Sequence, residues 1–507
     1  MRMLSVKDGS KSLTSKVGWS AVASIFSLLS RFIAQIIIAR MLGPEGLGRT
    51  AYVFWLIEIA NVFCSFGLTA TLTRYLAEFS GQKNPELAAR FARWVFVRYL
   101  MAALLGAVFV GVLFLRSSQY AGSKLVLPVL MALFLVNGLQ AINQADLSGR
   151  QQFNFLARLN VASAIILLVG VFIGGYFFGV VGVLFGYVAG ALIPAVYSFT
   201  MLRGFSFADK IDSDLEKRVW KFAFYTWLAL LVSAFVWSRM EIFFLERYWG
   251  VSEVAMFTVG LTFVVMVQQV TNLFCGAFMA HFSQHIGTGN HGLVQRHYES
   301  VLRLAALFVM PLAFLGAAIV PVLLPLFFGE KFVLAIPSAI ILTATAALAF
   351  STINSTLIYA HERSAFMAVL NFIGAIVLVT AGFLIIPKFS VWGAVWARLF
   401  VQSSLFLFGM WYINRELHYQ VPFVFLSRVF LSSVICGGVT WGSVYFLGSP
   451  FVLIVVIPLG IGVYIISLKF FKVIELTDAV HLENISTRFW KPIGVVVCGL
   501  VRWAIVK

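Results

Sequence analysis

Apolar runs of about 20 residues, each long enough to cross the hydrocarbon core of a bilayer, recur along nearly the whole chain. So many runs cannot all be buried in one soluble core. In lipid every backbone polar group must be satisfied internally, which restricts the spanning elements to helices or a closed barrel. The runs predict an all-α integral membrane protein of about 14 spans, at 17–39, 50–71, 92–115, 125–146, 154–178, 180–202, 219–245, 253–275, 300–328, 333–359, 364–386, 390–413, 422–447 and 450–470. Composition agrees: 61% of the 507 residues are hydrophobic and 11% charged, where soluble domains carry about 25% charged residues.

The net charge of +17 would suit nucleic acid in a soluble chain. In a membrane protein it follows from Lys and Arg gathering in cytoplasmic loops, and no nucleic-acid partner is expected. With the N-terminus placed inside, 26 Lys and Arg fall on the cytoplasmic side and seven on the other. That asymmetry predicts an even number of spans with both termini cytoplasmic. Residues 1–17 are polar and basic and the first apolar run is too long for a signal-peptide core, so the first span is read as an uncleaved anchor. The tail, 471–507, carries a short apolar run flanked by Lys491, Arg502 and Lys507 and reads as cytoplasmic or interfacial.

An internal repeat organises the spans. "ARMLGPEGLG" after the first resembles "ERYWGVSEVA" after the seventh, with Gly43 and Gly250 displaced by 207 residues. "GVVGVLFG" resembles "SVWGAVWA", with Gly182 and Gly393 displaced by 211. The expected domains are an N-lobe at 1–203 (six spans), a cytoplasmic linker at 204–218, a C-lobe at 219–414 (six spans), two further spans at 415–470 and the tail at 471–507. Six is even, so the halves form a parallel repeat about an axis along the membrane normal, with a substrate cleft expected between the lobes.

Within "SAVASIFSLLSRFIAQIIIAR" (20–40), Ser20, Ser24, Ser27, Arg31 and Gln35 are spaced 4, 3, 4 and 4, which is one polar stripe at 3.6 residues per turn. A fixed cation at mid-bilayer costs about 2.5–3.5 kcal/mol on insertion scales and usually serves function. Its planar fork of donors matches phosphate oxygens, while the Ser and Gln side chains suit sugar hydroxyls. The competing account pairs Arg31 with Glu58 or Glu241. Further cavity candidates are Arg49, Asn61, Arg239, Gln268 and Arg398; Arg239 and Glu246, seven apart on one helix face, could instead form an ion pair. Glu58 and Glu241 are the intramembrane carboxylates that could couple transport to H⁺ or Na⁺.

No cofactor is expected. GxxxxGK[ST] does not occur, which removes the evident signature of ATP as energy source, and "GTGNHG" (287–292) lacks the strand-to-helix setting of a phosphate loop. His281 and His285 have no Glu after the first, so HExxH fails, and with His291 and His297 they read as solvated loop histidines. Cys64, Cys275, Cys436 and Cys498 lie far apart and imply neither metal site nor disulfides. "NIS" at Asn484 lies in the tail expected to be cytoplasmic.

The stretch 31–79, with an Arg–x–Leu–Gly–Pro–Glu–x–x–Gly turn at Arg40–Gly48 and the Gly67–Leu68 pair, resembles the polysaccharide-export branch of the multidrug/oligosaccharidyl-lipid/polysaccharide flippase superfamily. The resemblance covers about residues 14–470. It implies a non-enzymatic flippase that carries undecaprenyl-diphosphate-linked oligosaccharide units from the cytoplasmic to the outer leaflet of a bacterial inner membrane by alternating access, for O-antigen, capsule or exopolysaccharide. The implied partners are that glycan, the bilayer and a polymerase or ligase of the same pathway. In the lipid II branch, cavity arginines matter in helices 1, 2 and 8. Arg31 and Arg49 suit the first two, but the eighth span here offers Gln268, Gln269, Thr271 and Asn272. A drug or cation antiporter of the same fold would want an acidic cleft. A membrane glycosyltransferase would want a large outer loop, which this chain lacks.

Overall fold

In a computed structural model, the described residues are 4–82, 84–115, 126–203, 211–237, 239–287, 291–361, 363–447 and 453–473. Within them the side chains of 4–24, 113–115, 235–237, 273–285, 287, 291 and 447 lie outside the description. The expectations for the tail, Asn484 and Cys498 therefore fall outside the described residues, as do the side chains of Cys275, His281, His285 and His291. The loop expected to hold the histidines is helical at all four, with His281 and His285 in Val251–Gly287, and His291 and half-buried His297 in His291–Phe328.

Among the described residues the protein is all-α and multi-pass, with 11 helices long and apolar enough to cross a membrane. Two of these contain a break that the sequence places between separate spans. The first, α1 (Leu4–Ser65), turns at Gly43, whose φ of 67° and ψ of −167° belong to a region open essentially to glycine. Pro44 follows and starts the next helix, where its missing N–H costs nothing. The expected connector "GPEGLG" is thus almost no loop at all. The second, α5 (Phe153–Ser198), breaks at Gly179.

The chain divides into two compact units, Met1–Glu246 and Arg247–Lys507. The first unit contains α1, α2 (Leu68–Gly81), α3 (Pro85–Leu115), α4 (Val126–Gly149), α5 and α6 (Ser213–Trp237); its most extensive packing is of α1 and α4 against α5, with α2 and α3 packed on α4. A short helix, α7 (Glu241–Trp249), crosses the unit boundary. The second unit contains α8 (Val251–Gly287), α9 (His291–Phe328), α10 (Ile336–Thr345), α11 (Ser351–Ala360), α12 (Ser364–Leu384), α13 (Ile386–Arg415), α14 (Phe423–Leu447) and α15 (Leu453–Phe470). There α9 packs against α14, and α14 against α15.

The two halves of α5 fold back on each other through Gly170 and Gly174 on one side and Gly182 and Gly186 on the other; a Cβ on Gly174 or Gly182 would land on the other residue's carbonyl. These are two facing Gly-x-x-x-Gly sequences, the pattern that lets membrane helices approach backbone to backbone. Ser163 Oγ donates to the Gly190 carbonyl at 2.6 Å along the same contact.

Left-handed residues recur at the spacing of the sequence repeat. Gly43 (φ 67°) and Gly250 (φ 88°) are 207 apart; Gly179 (φ 59°) and Ser390 (φ 52°) are 211 apart. Their ψ angles at the second pair, −137° and −132°, also agree. Ser390 holds a conformation unusual for a residue with a Cβ, and its hydroxyl donates to Glu253 Oε2 at 2.9 Å.

Candidate functional site

The first half of α1 presents three distinct faces. Ser30, Ala34 and Ile38 are buried, with Ser30 Oγ satisfied by the Phe26 carbonyl at 2.8 Å. Leu29 and Ile33 are exposed at 47% and 44%. Arg31 is exposed as well, flanked by half-buried Ser27 and Gln35. Leu29 and Ile33 each lie two residues from Arg31, which turns them about 160° around the helix from it. The exposed apolar face and the exposed cation thus point in nearly opposite directions. Large exposed apolar side chains are what lipid contacts; an intramembrane charge faces the bundle interior or water.

Arg31 lies close enough to Tyr187, in the second half of α5, to act on it electrostatically. The Tyr187 ring sits 4.2 Å from that of Phe54, in the second half of α1. Among the described residues no carboxylate comes within ion-pair distance of Arg31, so pairing with Glu58 or Glu241 is not seen. Sequence reasoning missed Tyr187, since nothing local in "FGYVAG" ties it to a residue more than 150 positions earlier.

The remaining candidates have varied surroundings. Arg49 pairs with Glu45 one turn before it. Asn61 donates to the Ile57 carbonyl of its own helix at 2.9 Å. Ser24 lies in α1, but its side chain is outside the description. Glu58 is exposed and Glu241 fully buried. Arg239 corrects an expectation: the span read as continuous over 219–245 breaks there, between α6 and α7, with Arg239 itself at φ 60°. In the second unit Gln268 is half-buried on α8 and Arg398 is 7% exposed on α13. Among the described residues no cluster of His, Cys, Asp and Glu could hold a metal ion.

Comparison with known proteins places this geometry. The profile of the family described as "Polysaccharide biosynthesis protein" matches residues 37–337, more than half of the chain. The chain belongs to that family. This family member also shares its fold with solved flippase and transporter structures. Its structure resembles the lipid II flippase MurJ in an inward closed conformation, with a TM-score of 0.71, 15% identity and coverage of 89% of this chain and 98% of that one. It also resembles a multidrug resistance MATE family transporter in an inward-facing conformation, with a TM-score of 0.62, 16% identity and coverage of 78% and 96%. An uncharacterized membrane protein of Methanocaldococcus jannaschii is 21% identical over 486 residues, covering 85% of this chain and 94% of its own. The solved structures it resembles are transporters, not enzymes.

Proposed function

We propose that this family member is a flippase for undecaprenyl-diphosphate-linked oligosaccharides, moving them by alternating access from the cytoplasmic to the outer leaflet of a bacterial inner membrane. It has 14 spans in this reading: α1 and α5 each supply two, and α6 with α7 supplies the broken seventh. Both termini are cytoplasmic. The observation that carries the proposal is Arg31, exposed on the side of α1 opposite Leu29 and Ile33, with no carboxylate partner among the described residues. A diphosphate supplies the missing anion, and a guanidinium binds it through parallel charge-assisted hydrogen bonds that strengthen as water is excluded. Ser27 and Gln35, one turn to either side, suit the sugar hydroxyls next to it. The polysaccharide description of the family supports a glycan cargo, and an exposed cation at this position disfavours a cationic drug.

The test is translocation in vesicles containing the purified full-length protein. Undecaprenyl-diphosphate-linked oligosaccharide should cross in its presence, and a lipophilic cationic dye should not. Arg31→Ala should lower the rate at least tenfold with folding retained. Arg31→Lys should recover part of it, since an ammonium keeps the charge but loses the planar fork. Undiminished translocation by Arg31→Ala would remove that residue from the mechanism. Transport of the dye alone would replace the function.

A further inference from the structure

A pair of aromatic rings stands beside Arg31 in the first unit. Phe54, on the second half of α1, and Tyr187, on the second half of α5, have ring centroids 4.2 Å apart. Both residues are half-buried, and both lean on a buried cluster that includes Val53, Ile57 and Leu184. Neither lies on the side of its helix that suits lipid. On the second half of α5 that side is marked by Phe185, Leu192 and Val196, all exposed. Tyr187 lies about 160°, 140° and 180° around the helix from them. On the second half of α1, exposed Phe63 is about 180° around from Phe54. Exposed Glu58 lies one turn on from Phe54, on the same side. Arg31 stands in the same relation to Leu29 and Ile33.

Two neighbouring donors there lack a partner among the described residues. Arg31 has no carboxylate within ion-pair distance, and the Tyr187 hydroxyl makes no hydrogen bond. A buried tyrosine hydroxyl usually finds one. The spacing of the two is set where α1 meets α5: a Cβ on Gly175 would lie 3.3 Å from Val183 and 3.6 Å from Met41. Going away from the breaks at Gly43 and Gly179, Arg31 lies about 15 Å from Met41 along its helix, and Tyr187 about 6 Å from Val183. The rings therefore stand about 9 Å nearer the breaks than the backbone of Arg31, a step that a diphosphate and its first sugar can bridge. A pyranose has a face of C–H bonds and a rim of hydroxyls. Tyrosine offers the complement, an apolar body with a polar tip.

We propose that Phe54 and Tyr187 form the subsite for the sugar next to the diphosphate. The pyranose lies with its C–H face on the ring pair, the Tyr187 O–H donates to a sugar oxygen, and the diphosphate stays on Arg31. Arg31 then selects for phosphate and the rings for a saccharide, so a polyprenyl diphosphate without sugar is the poorer ligand. The subsite rests on the proposed flippase function, and its test separates the two by comparing ligands that differ only in the sugar.

The experiment is native mass spectrometry of the delipidated full-length protein titrated with undecaprenyl diphosphate, or with the same lipid bearing one N-acetylglucosamine or one galactose. At least one sugar-bearing lipid should bind about tenfold more tightly than the bare diphosphate, the combined effect of one hydrogen bond and one ring contact. Tyr187→Phe, which keeps the ring, and Phe54→Leu, which keeps the bulk, should each cut that preference about threefold. Both should leave the affinity for the bare diphosphate unchanged, which loosened packing alone would not do. Arg31→Ala should weaken all three lipids alike. No preference in the unaltered protein, or a preference that survives both ring substitutions, would overturn the subsite and leave the role of Arg31 standing. Unchanged affinities in Arg31→Ala, with the preference lost in the ring variants, would keep the subsite and take the diphosphate away from Arg31. If Phe54→Leu does not fold, Tyr187→Phe decides alone: a reduced preference supports the subsite and an undiminished one refutes it.

Discussion

Arg31 differs from the other embedded arginines in what surrounds it. Arg98 has Glu216 and the face of Trp94. Arg303, 9% exposed, has Glu299 at 3.4 Å and the Phe425 ring at 4.3 Å. Arg150 has Asp146 at 2.8 Å. Each of those charges is balanced within the fold, which accounts for it structurally. Arg31 was legible in the sequence because a stripe at helical spacing depends on one segment alone. Tyr187 and the partners of Arg98 and Arg303 were not, because they come from distant segments. Another unforeseen residue is Trp227 of α6, whose indole N–H lies 3.1 Å from both the Val62 and Phe63 carbonyls. Those carbonyls belong to the last turn of α1, where helical partners run out. Trp227→Phe keeps the ring near Phe66 and removes the donor. It should lower stability by about 1 kcal/mol, read as a lower thermal midpoint of the purified protein; an unchanged midpoint would mean that the carbonyls find another donor.

The helix breaks set how these elements meet. Breaks at Gly43 and Gly179 coincide with expected span boundaries, since glycine and proline announce themselves in any sequence. Breaks at Ser390 and Arg239 were not foreseen as left-handed positions, because neither residue type favours that conformation and only the surrounding packing imposes it. The separate helix α2 was missed for a related reason. Phe66 and Gly67, at φ 45° and 70°, turn the chain, and α2 then buries Leu68, Thr71, Leu72, Tyr75, Leu76 and Phe79 at helical spacing. That amphipathic pattern was present but merged into the preceding apolar run. The facing glycines of α5 give this scale its prediction. Gly182→Ala places a methyl on the Gly174 carbonyl, which cannot rotate away, and should cost about 1–3 kcal/mol, the usual range for overpacking. Gly438→Ala of α14, where a Cβ enters open space, should leave the thermal midpoint nearly unchanged. Equal midpoints for the two variants would show that the α5 crossing relaxes freely.

For the whole molecule, hydropathy and the repeat carried most of what could be read in advance. The left-handed positions recurring 207 and 211 residues apart match the displacements between the sequence segments on which the expected repeat was read. Contact grouping places α6 with the first unit, whereas the repeat begins its second copy there. The grouping follows packing, through Gly67 against Ala223 and Arg218 against Glu78. The central claim is that residue 31 faces water and receives an anionic headgroup. The most direct measurement labels Arg31→Cys and Leu29→Cys with a water-soluble, membrane-impermeant thiol reagent, in a chain whose four native cysteines are replaced by Ser. The account predicts rapid labelling at 31, slowed by added undecaprenyl-diphosphate-linked oligosaccharide, and little at 29. Labelling at 29 as fast as at 31, or none at 31, would contradict it.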